Sequence, residues 1–339
     1  MQLRYRVIVT LVFMIYFTSQ AAFGSCGSAV CPLDHHRYLE GGWLNIQYSY
    51  EYINQEHIYV GSQRSFVGAI PHHHDEVQTI NNRSVLTIQA GITNRIGLAL
   101  EFPFIKREHH HIVNSGHSHN GHDDNVGSAW ESWNFNGLGD VVISGSYALS
   151  LPDRMGYGPY LNIQAGIKLP TGITDARNAS GTIGEITIQP GTGSYDFIAG
   201  LSYRQVMLGL PTLDGTYTAM PISATVTYQH NGKGVDDYRF GDVVQVHLGT
   251  EYFFLERAGL LLQINGRFQD YADVGQTREP RENTGGRWIF LSPGFQMNVS
   301  STIETYSFIQ IPVYRHYNGI QQAAPFHLQL GISAHISLL

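Results

Sequence analysis

Lysine is almost missing from this chain. Lys106, Lys168 and Lys233 are the only three in 339 residues, and charged residues of every kind make up 14%, against about a quarter in ordinary soluble domains. That shortage implies that much of the surface does not face water. Cysteine is as scarce: Cys26 and Cys31 are the only two, so no disulfide framework holds the chain together. Beyond the first 25 residues no apolar run approaches the ~20 residues that cross a bilayer as a helix. A mean hydropathy of −0.14 agrees, and a helical membrane protein is excluded. A net charge of −7 excludes nucleic acid as a partner. What the chain does have is glycine (37), tyrosine (20) and phenylalanine (16). Low charge, many aromatics and no long apolar run fit a membrane β-barrel, whose hydrophobicity is hidden in alternation.

The first residues read as an export signal. Arg4 and Arg6 form its positive end, Val7 to Phe17 its apolar core, and Ala22-Phe23-Gly24 its small-residue cleavage site. Residues 1–24 are therefore expected to be removed. Phe23-Gly24-Ser25-Cys26 makes a poor lipid-attachment motif. In an oxidising compartment a Cys26–Cys31 disulfide is the simpler expectation. Residues 25–42 read as a periplasmic N-terminal segment, placed where it can fold into a lumen as a plug.

Strict alternation begins at residue 44. Leu44, Ile46, Tyr48, Tyr50 and Tyr52 share one face; Asn45, Gln47, Ser49 and Glu51 share the other. Only a strand has that period. Equivalent stretches follow around 86–92, 96–104, 140–149, 160–169, 195–204, 222–230, 243–254, 259–269, 288–299 and 326–338. Between 303 and 314 a strand is evident, but both parities are largely apolar and its facing stays open. The total is about twelve strands, each near the 9–11 residues a tilted membrane strand needs.

The connections alternate in length. Long ones are expected near 54–82, 106–137, 170–194, 231–242, 270–287 and 315–325; short ones near 93–95, 151–158, 255–258 and 300–302. The link at 205–221 breaks this rule by being long where it should be short. Short turns on one side and long loops on the other is the outer-membrane pattern, with the long loops outside. The expected fold is all-β: a transmembrane antiparallel barrel of about 12 strands over 43–339, in the bacterial outer membrane, with lipid as its partner. The chain ends Ser337-Leu338-Leu339, apolar but without the aromatic final residue of many such barrels.

Three blocks carry a resemblance: Gly137-Leu138-Gly139-Asp140, Lys168-Leu169-Pro170-Thr171-Gly172, and Gln189-Pro190-Gly191-Thr192-Gly193. With Ile311-Pro312-Val313-Tyr314 and Asn318-Gly319, the chain from about 43 to 339 resembles the barrel family labelled MetA-pathway of phenol degradation. The resemblance implies an outer-membrane transport-type barrel, in a family related to channels for hydrophobic compounds; the family's label is no guide to the solute itself. It carries over no catalytic residue. The blocks also suit a barrel physically: glycines permit sharp entry into strands, and Pro170 sits at a strand end, where a missing N–H costs little.

Two sets of candidate residues remain. The inward parity carries Glu51, Glu101, Asp140, Lys168, Asp196, Arg204, His247, Glu251 and Arg267, either a selectivity lining or an ion-pair network that fills the interior. Nine of the 17 histidines fall between 72 and 122. His72, His73, His74 and Asp75 form one group; His109, His110, His111, His117, His119, His122 and Asp123 form another, both in expected outer loops. Imidazoles with carboxylates bind Zn, Cu, Ni or Fe; equally, such a tract is a solvated low-complexity loop or a pH-responsive gate. No cofactor is required by the sequence. No Gly-x-Ser-x-Gly motif accompanies the histidines, so an enzyme is not expected. The functional expectation is a channel for passive passage of a small solute, with surface capture of a transition-metal ion as the alternative.

Overall fold

A computed structural model describes residues 41–69, 76–113, 129–153, 158–207, 209–213, 215, 217–277 and 280–338. The expected signal peptide, and the N-terminal segment with the expected Cys26–Cys31 disulfide, lie outside these residues. Sixteen strands follow in chain order: β1 Trp43–Gln55, β2 His57–Val60, β3 Gln63–Ser65, β4 Glu76–Gly91, β5 Ile96–Val113, β6 Ala129–Leu138, β7 Val142–Ser150 and β8 Pro159–Lys168. The remainder are β9 Asp196–Met207, β10 Met220–His230, β11 Val243–Phe253, β12 Ala258–Gln269, β13 Gly286–Asn298, β14 Ile303–Tyr317, β15 Ile320–Ala323 and β16 His327–Ser337.

Twelve of them close a cylinder. The order runs β4-β1-β16-β14, then back through β13 to β7 and β5, and β4 pairs with β5 to complete the ring. Every neighbouring pair is antiparallel. The first and last wall strands meet in one unbroken register from Trp43↔Ser337 to Ile53↔His327. Closure leaves no edge strand, which is what a β-structure in lipid requires. β6 is not a further stave. It stacks above β7 on the same flank of β5, with Phe104–Val113 of β5 facing β6 and Ile96–Glu101 facing β7.

The alternation in sequence becomes the two faces of this wall. Leu86, Leu100, Ile143, Ile163, Leu201, Val226, Leu248, Ile264, Leu291, Ile309 and Leu330 are exposed on the outside. Aromatic side chains flank them at both ends: Phe104, Phe197, Tyr228, Phe268 and Tyr314 toward the long loops, and Tyr147, Tyr203 and Phe295 toward the short turns. An apolar band between aromatic girdles is the surface that an outer membrane solvates. The protein is an outer-membrane barrel, and no helix among the described residues is long and apolar enough to cross a membrane.

One expectation is corrected, one irregularity recurs and one open point is settled. The loops placed at 54–82 and 106–137 are shorter, because β4 already begins at Glu76 and β5 runs on to Val113 before β6 starts at Ala129. His109, His110 and His111 therefore lie in a strand. Pairing continues there beyond the apolar band, where the outer face turns polar and the alternation of hydrophobicity fades. The link expected at 205–221 is long here too, running between Met207 and Met220; it contains its own bridge, Pro211↔Tyr217, and leans on the next turn through Leu213 N–H to Phe254 O (3.1 Å). The open facing of β14 is resolved: Glu304, Tyr306, Phe308 and Gln310 point inward, Ile309 and Ile311 outward. Two aromatics on the inner face made both parities look apolar.

The outer end carries a packed cap. β15, β2 and β3 form a small sheet of their own, with all four residues of β15 buried. Tyr59 and Ala323 of that sheet pack on Trp288, Phe290 and Tyr317 of the wall. Beside it Tyr238, Phe240 and Ala272 form a second apolar cluster with Ile186 and Val274, joining three outer loops.

Candidate functional site: the lumen and its outer cap

Of the nine predicted lumen residues, Glu51, Glu101, Asp140, Lys168, Asp196, Arg204, His247 and Arg267 are buried. Glu251, near the short-turn end of β11, is half-buried.

Three of them form one buried triad. Lys168 ends β8 with no exposed surface, and its Nζ lies 2.6 Å from Asp196 Oδ2 and 3.2 Å from Asp140 Oδ2. It also donates to Thr192 Oγ1 and to Ser194 Oγ (3.3 Å). Asp140 in turn accepts from the backbone N–H of Gly172 (2.9 Å) and Thr192 (2.9 Å) and from the Thr192 hydroxyl (2.8 Å). Asp196 accepts from Ser194 Oγ (2.8 Å), Gly232 N–H (3.0 Å) and Gln229 Nε2 (2.9 Å). The sequence blocks around Asp140, Lys168 and Thr192 thus converge on one ammonium group. Their glycines permit the approach: a Cβ on Gly172 would stand 2.6 Å from Gly191 Cα and 2.8 Å from the Gly139 carbonyl carbon.

The segment so held, 170–194, lies over the inner face of the β5–β6 extension. Ile188 packs on Trp133 and Phe135, and Arg107 donates to the carbonyls of Thr187 (3.3 Å) and Gln189 (3.4 Å). A buried ion pair persists only when geometry and further hydrogen bonds compensate its desolvation. Here each carboxylate has at least three donors besides the lysine or its neighbours, so the triad's charges are spent on holding this segment.

A second buried ion pair lies in the wall. Glu51 on β1 faces Arg83 on β4 at 3.2 Å. Arg267 donates to Gln269 Oε1 (2.9 Å). His247 Nδ1 donates to Asn265 Oδ1 (2.8 Å), and Asn265 Nδ2 to Ser292 Oγ (2.7 Å), a chain across three strands. Between these pairs the inner wall is lined by neutral amides, among them Gln47, Gln89, Asn162, Gln164, Gln296 and Gln329, all buried. Apolar patches interrupt them, among them Leu261, Tyr306 and Phe308. A Cβ on Gly331 would collide with the Tyr306 ring, and one on Gly294 would stand 2.6 Å from Phe308 Cδ1. Both rings lie flat over glycine, and Tyr306 Oη accepts from Gln47 Nε2 (2.8 Å).

Among the expected metal-binding histidines, His72, His73, His74, Asp75, His117, His119, His122 and Asp123 lie outside the described residues. His109 is fully buried on the inner face, and its Nδ1 lies 2.8 Å from the Thr79 hydroxyl. That hydroxyl donates to Gln322 Oε1 of the cap. His109 and His111 face the same way with ring centres 6.3 Å apart and both touch Trp133, while His110 lies on the opposite parity. No group of three or more metal-ligating side chains occurs among the described residues.

Sequence reasoning missed Arg83, Arg107, Trp133, Tyr306 and Phe308. Arg83 and Arg107 stand on the parity of their strands' inner residues, a signal hidden by strands taken as too short.

No family model matches the chain, and no curated protein does. Among solved structures it is similar to the COG4313 outer membrane channel from Pseudomonas putida F1. That likeness has 13% identity and a TM-score of 0.59, over 91% of this chain and all of that one. The chain has the fold of an outer-membrane channel barrel. Looser overlaps include the NanC porin (11% identity, TM-score 0.42, 86% of this chain and 98% of that one) and a Pseudomonas aeruginosa FadL homologue. The latter has 9% identity and a TM-score of 0.40, over 96% and 100%.

Proposed function

We propose that this barrel is a channel, not an enzyme, and that it lets a small, weakly polar or aromatic solute cross the outer membrane passively. The observation that carries this reading is the division of labour inside the wall. Glu51 is paired with Arg83 and Lys168 with Asp140 and Asp196, whereas neutral amides and apolar patches such as Leu261-Tyr306-Phe308 line the interior between them. Side-chain atoms of Asn162, Gln164, Gln296 and Gln329 are buried without a hydrogen-bond partner. Leaving such groups dry costs about 1–3 kcal/mol each, so the lining suits water or a polar group of a passing molecule. Among the described residues five buried acidic side chains (Glu51, Glu101, Asp140, Asp196 and Glu304) stand against five basic ones (Arg83, Arg107, Lys168, Arg204 and Arg267), which gives no strong field of one sign. The resemblance to the MetA-pathway of phenol degradation barrels supports a transport-type barrel, and the fold shared with the Pseudomonas putida outer membrane channel agrees with passage through the wall.

Proteoliposome flux tests this reading. Vesicles loaded with the refolded barrel should admit small neutral aromatic alcohols and amides faster than empty vesicles, and should discriminate little between potassium and chloride. Equal flux with and without protein would end the proposal. Metal capture by the histidine-rich outer segments is the second reading. Zinc titration of the intact barrel tests it: saturable binding supports it, and binding no tighter than to a scrambled loop removes it.

A further inference from the structure

The link between β9 and β10 breaks the rule of short turns at its end of the barrel, and its surface is as unusual as its length. Met207 pairs with Met220 where the two strands end, and beyond them the chain continues as a hairpin. Thr218 N–H donates to Leu210 O (3.2 Å), and Pro211 bridges Tyr217. Glycine at 209 lets the arms close, since a Cβ there would collide with the Thr218 carbonyl oxygen. Asp214 is the only charged residue between 208 and 219. Leu210, Leu213 and Tyr217 are 55%, 76% and 79% exposed, and Leu255 on the neighbouring β11–β12 turn is exposed beside them. Grouped large apolar side chains on an open surface mark a partner. The turns Thr93-Asn94-Arg95 and Ser300-Ser301-Thr302 at the same end are polar, so the feature is not general to this rim.

The seat of the hairpin says what the partner is. Tyr252 stands on the lipid-facing parity of β11 with Val244 and Leu248, and its hydroxyl donates to Pro211 O (2.7 Å). Tyr252, Leu260 and Phe295 form one row across β11, β12 and β13, at the level of the lower aromatic girdle. Leu213 N–H donates to Phe254 O, and the Phe254 ring meets that of Phe295 with centres 6.5 Å apart. The hairpin is therefore tied to the girdle from the lipid side of the wall. Its apolar side chains continue the outer surface of Tyr203, Met207 and Ile222, all exposed. Leucines with a tyrosine, little charge and a place at the girdle are the composition of an element that lies in a membrane interface.

We propose that the 208–219 hairpin is a foot embedded in the periplasmic leaflet of the outer membrane, with Leu210, Leu213 and Tyr217 among the headgroups and outermost acyl carbons of its phospholipids. It holds the β9–β12 flank of the barrel at a fixed depth in the bilayer. This role goes beyond the channel reading and does not depend on it.

The test is fluorescence of the whole refolded barrel in phosphatidylcholine vesicles, with Leu213→Trp or Tyr217→Trp read as the difference from the parent barrel's own tryptophans. Each added indole should emit blue-shifted and be shielded from aqueous iodide. Lipid brominated high on the acyl chain should quench it more than lipid brominated near the chain end. Emission typical of water, open to iodide and untouched by brominated lipid at both positions, would overturn the proposal and leave this surface to a soluble periplasmic partner. Ile222→Trp reports the depth of the flank itself. Adding Leu213→Ser and Tyr217→Ser to it should shift the bromine depth that quenches it best, in barrels shown to be folded by heat-modifiable mobility. An unchanged depth would overturn the anchoring role.

Discussion

Lys168 Nζ and Asp196 Oδ2 stand 2.6 Å apart inside the wall, with neither side chain meaningfully exposed to solvent. Removing the lysine alone leaves Asp140 and Asp196 buried without their cation. Breaking one partner out of a buried pair costs about 3–5 kcal/mol. Lys168→Met should therefore lower the temperature at which the folded barrel loses its heat-modifiable electrophoretic mobility, and should expose 170–194 to protease. The triple variant Asp140→Asn, Lys168→Met, Asp196→Asn carries no uncompensated charge and should recover much of that loss. A triple variant no better than Lys168→Met would show that the triad's charges are not its organising feature.

Glu51 and Arg83 allow a cleaner energetic test, because each faces the other directly across β1 and β4. Glu51→Gln and Arg83→Met should each destabilise the barrel, and the double variant should cost less than the sum of the two. A double-mutant cycle in urea measures the difference; coupling of about 0.5–3 kcal/mol is the range for residues in one network. Simple additivity would mean that the two groups do not interact.

Tyr306 lies over Gly331, and the lumen should respond to crowding there. Gly331→Ala puts a methyl group where the ring now rests, so the ring must swing off the wall and lose its bond from Gln47. A lower single-channel conductance is expected from Gly331→Ala and a higher one from Phe308→Ala. The opposite order would place these rings away from the conduction path.

The outer segment at 231–242 has a defined response to acid. Burial works to raise the Asp242 carboxyl, but hydrogen bonds from Tyr228, His230, the Asn231 N–H and Arg239 outweigh it and hold the group below its ordinary value of 3.8. Because the folded value is the depressed one, the stabilisation is complete above the unfolded value and is lost as pH falls through the folded one. Hydrogen-exchange protection of 231–242, taken relative to the unstructured chain at each pH, should thus be flat down to about pH 4 and fall only below it. Asp242→Asn should lower it at neutral pH. Protection already lost well above pH 4 would contradict this assignment.

The wall was readable in the sequence because lipid outside and polar groups inside impose a strict period of two on every membrane strand. Leu44 to Tyr52 show it without exception. The same rule failed where its cause is absent. Above the apolar band His109, His110 and His111 alternate between faces without alternating in polarity, so a strand read as a loop. Tyr306 and Phe308 face inward because Gly294 and Gly331 on the neighbouring strands make room for them, a relation between distant positions that no local pattern contains. Asp140, Lys168 and Asp196 were legible as inward charges. That they meet on one segment depends on Gly172 touching Gly191, which only the folded chain reveals.

Single-channel recording from the purified chain in a planar bilayer tests the account most directly. A closed twelve-strand cylinder with a hydrated, capped lumen should give small, discrete conductance steps, with little preference between cation and anion, and Gly331→Ala should reduce their size. Membranes that hold the inserted barrel yet stay electrically silent, and vesicles that admit no solute, would contradict it.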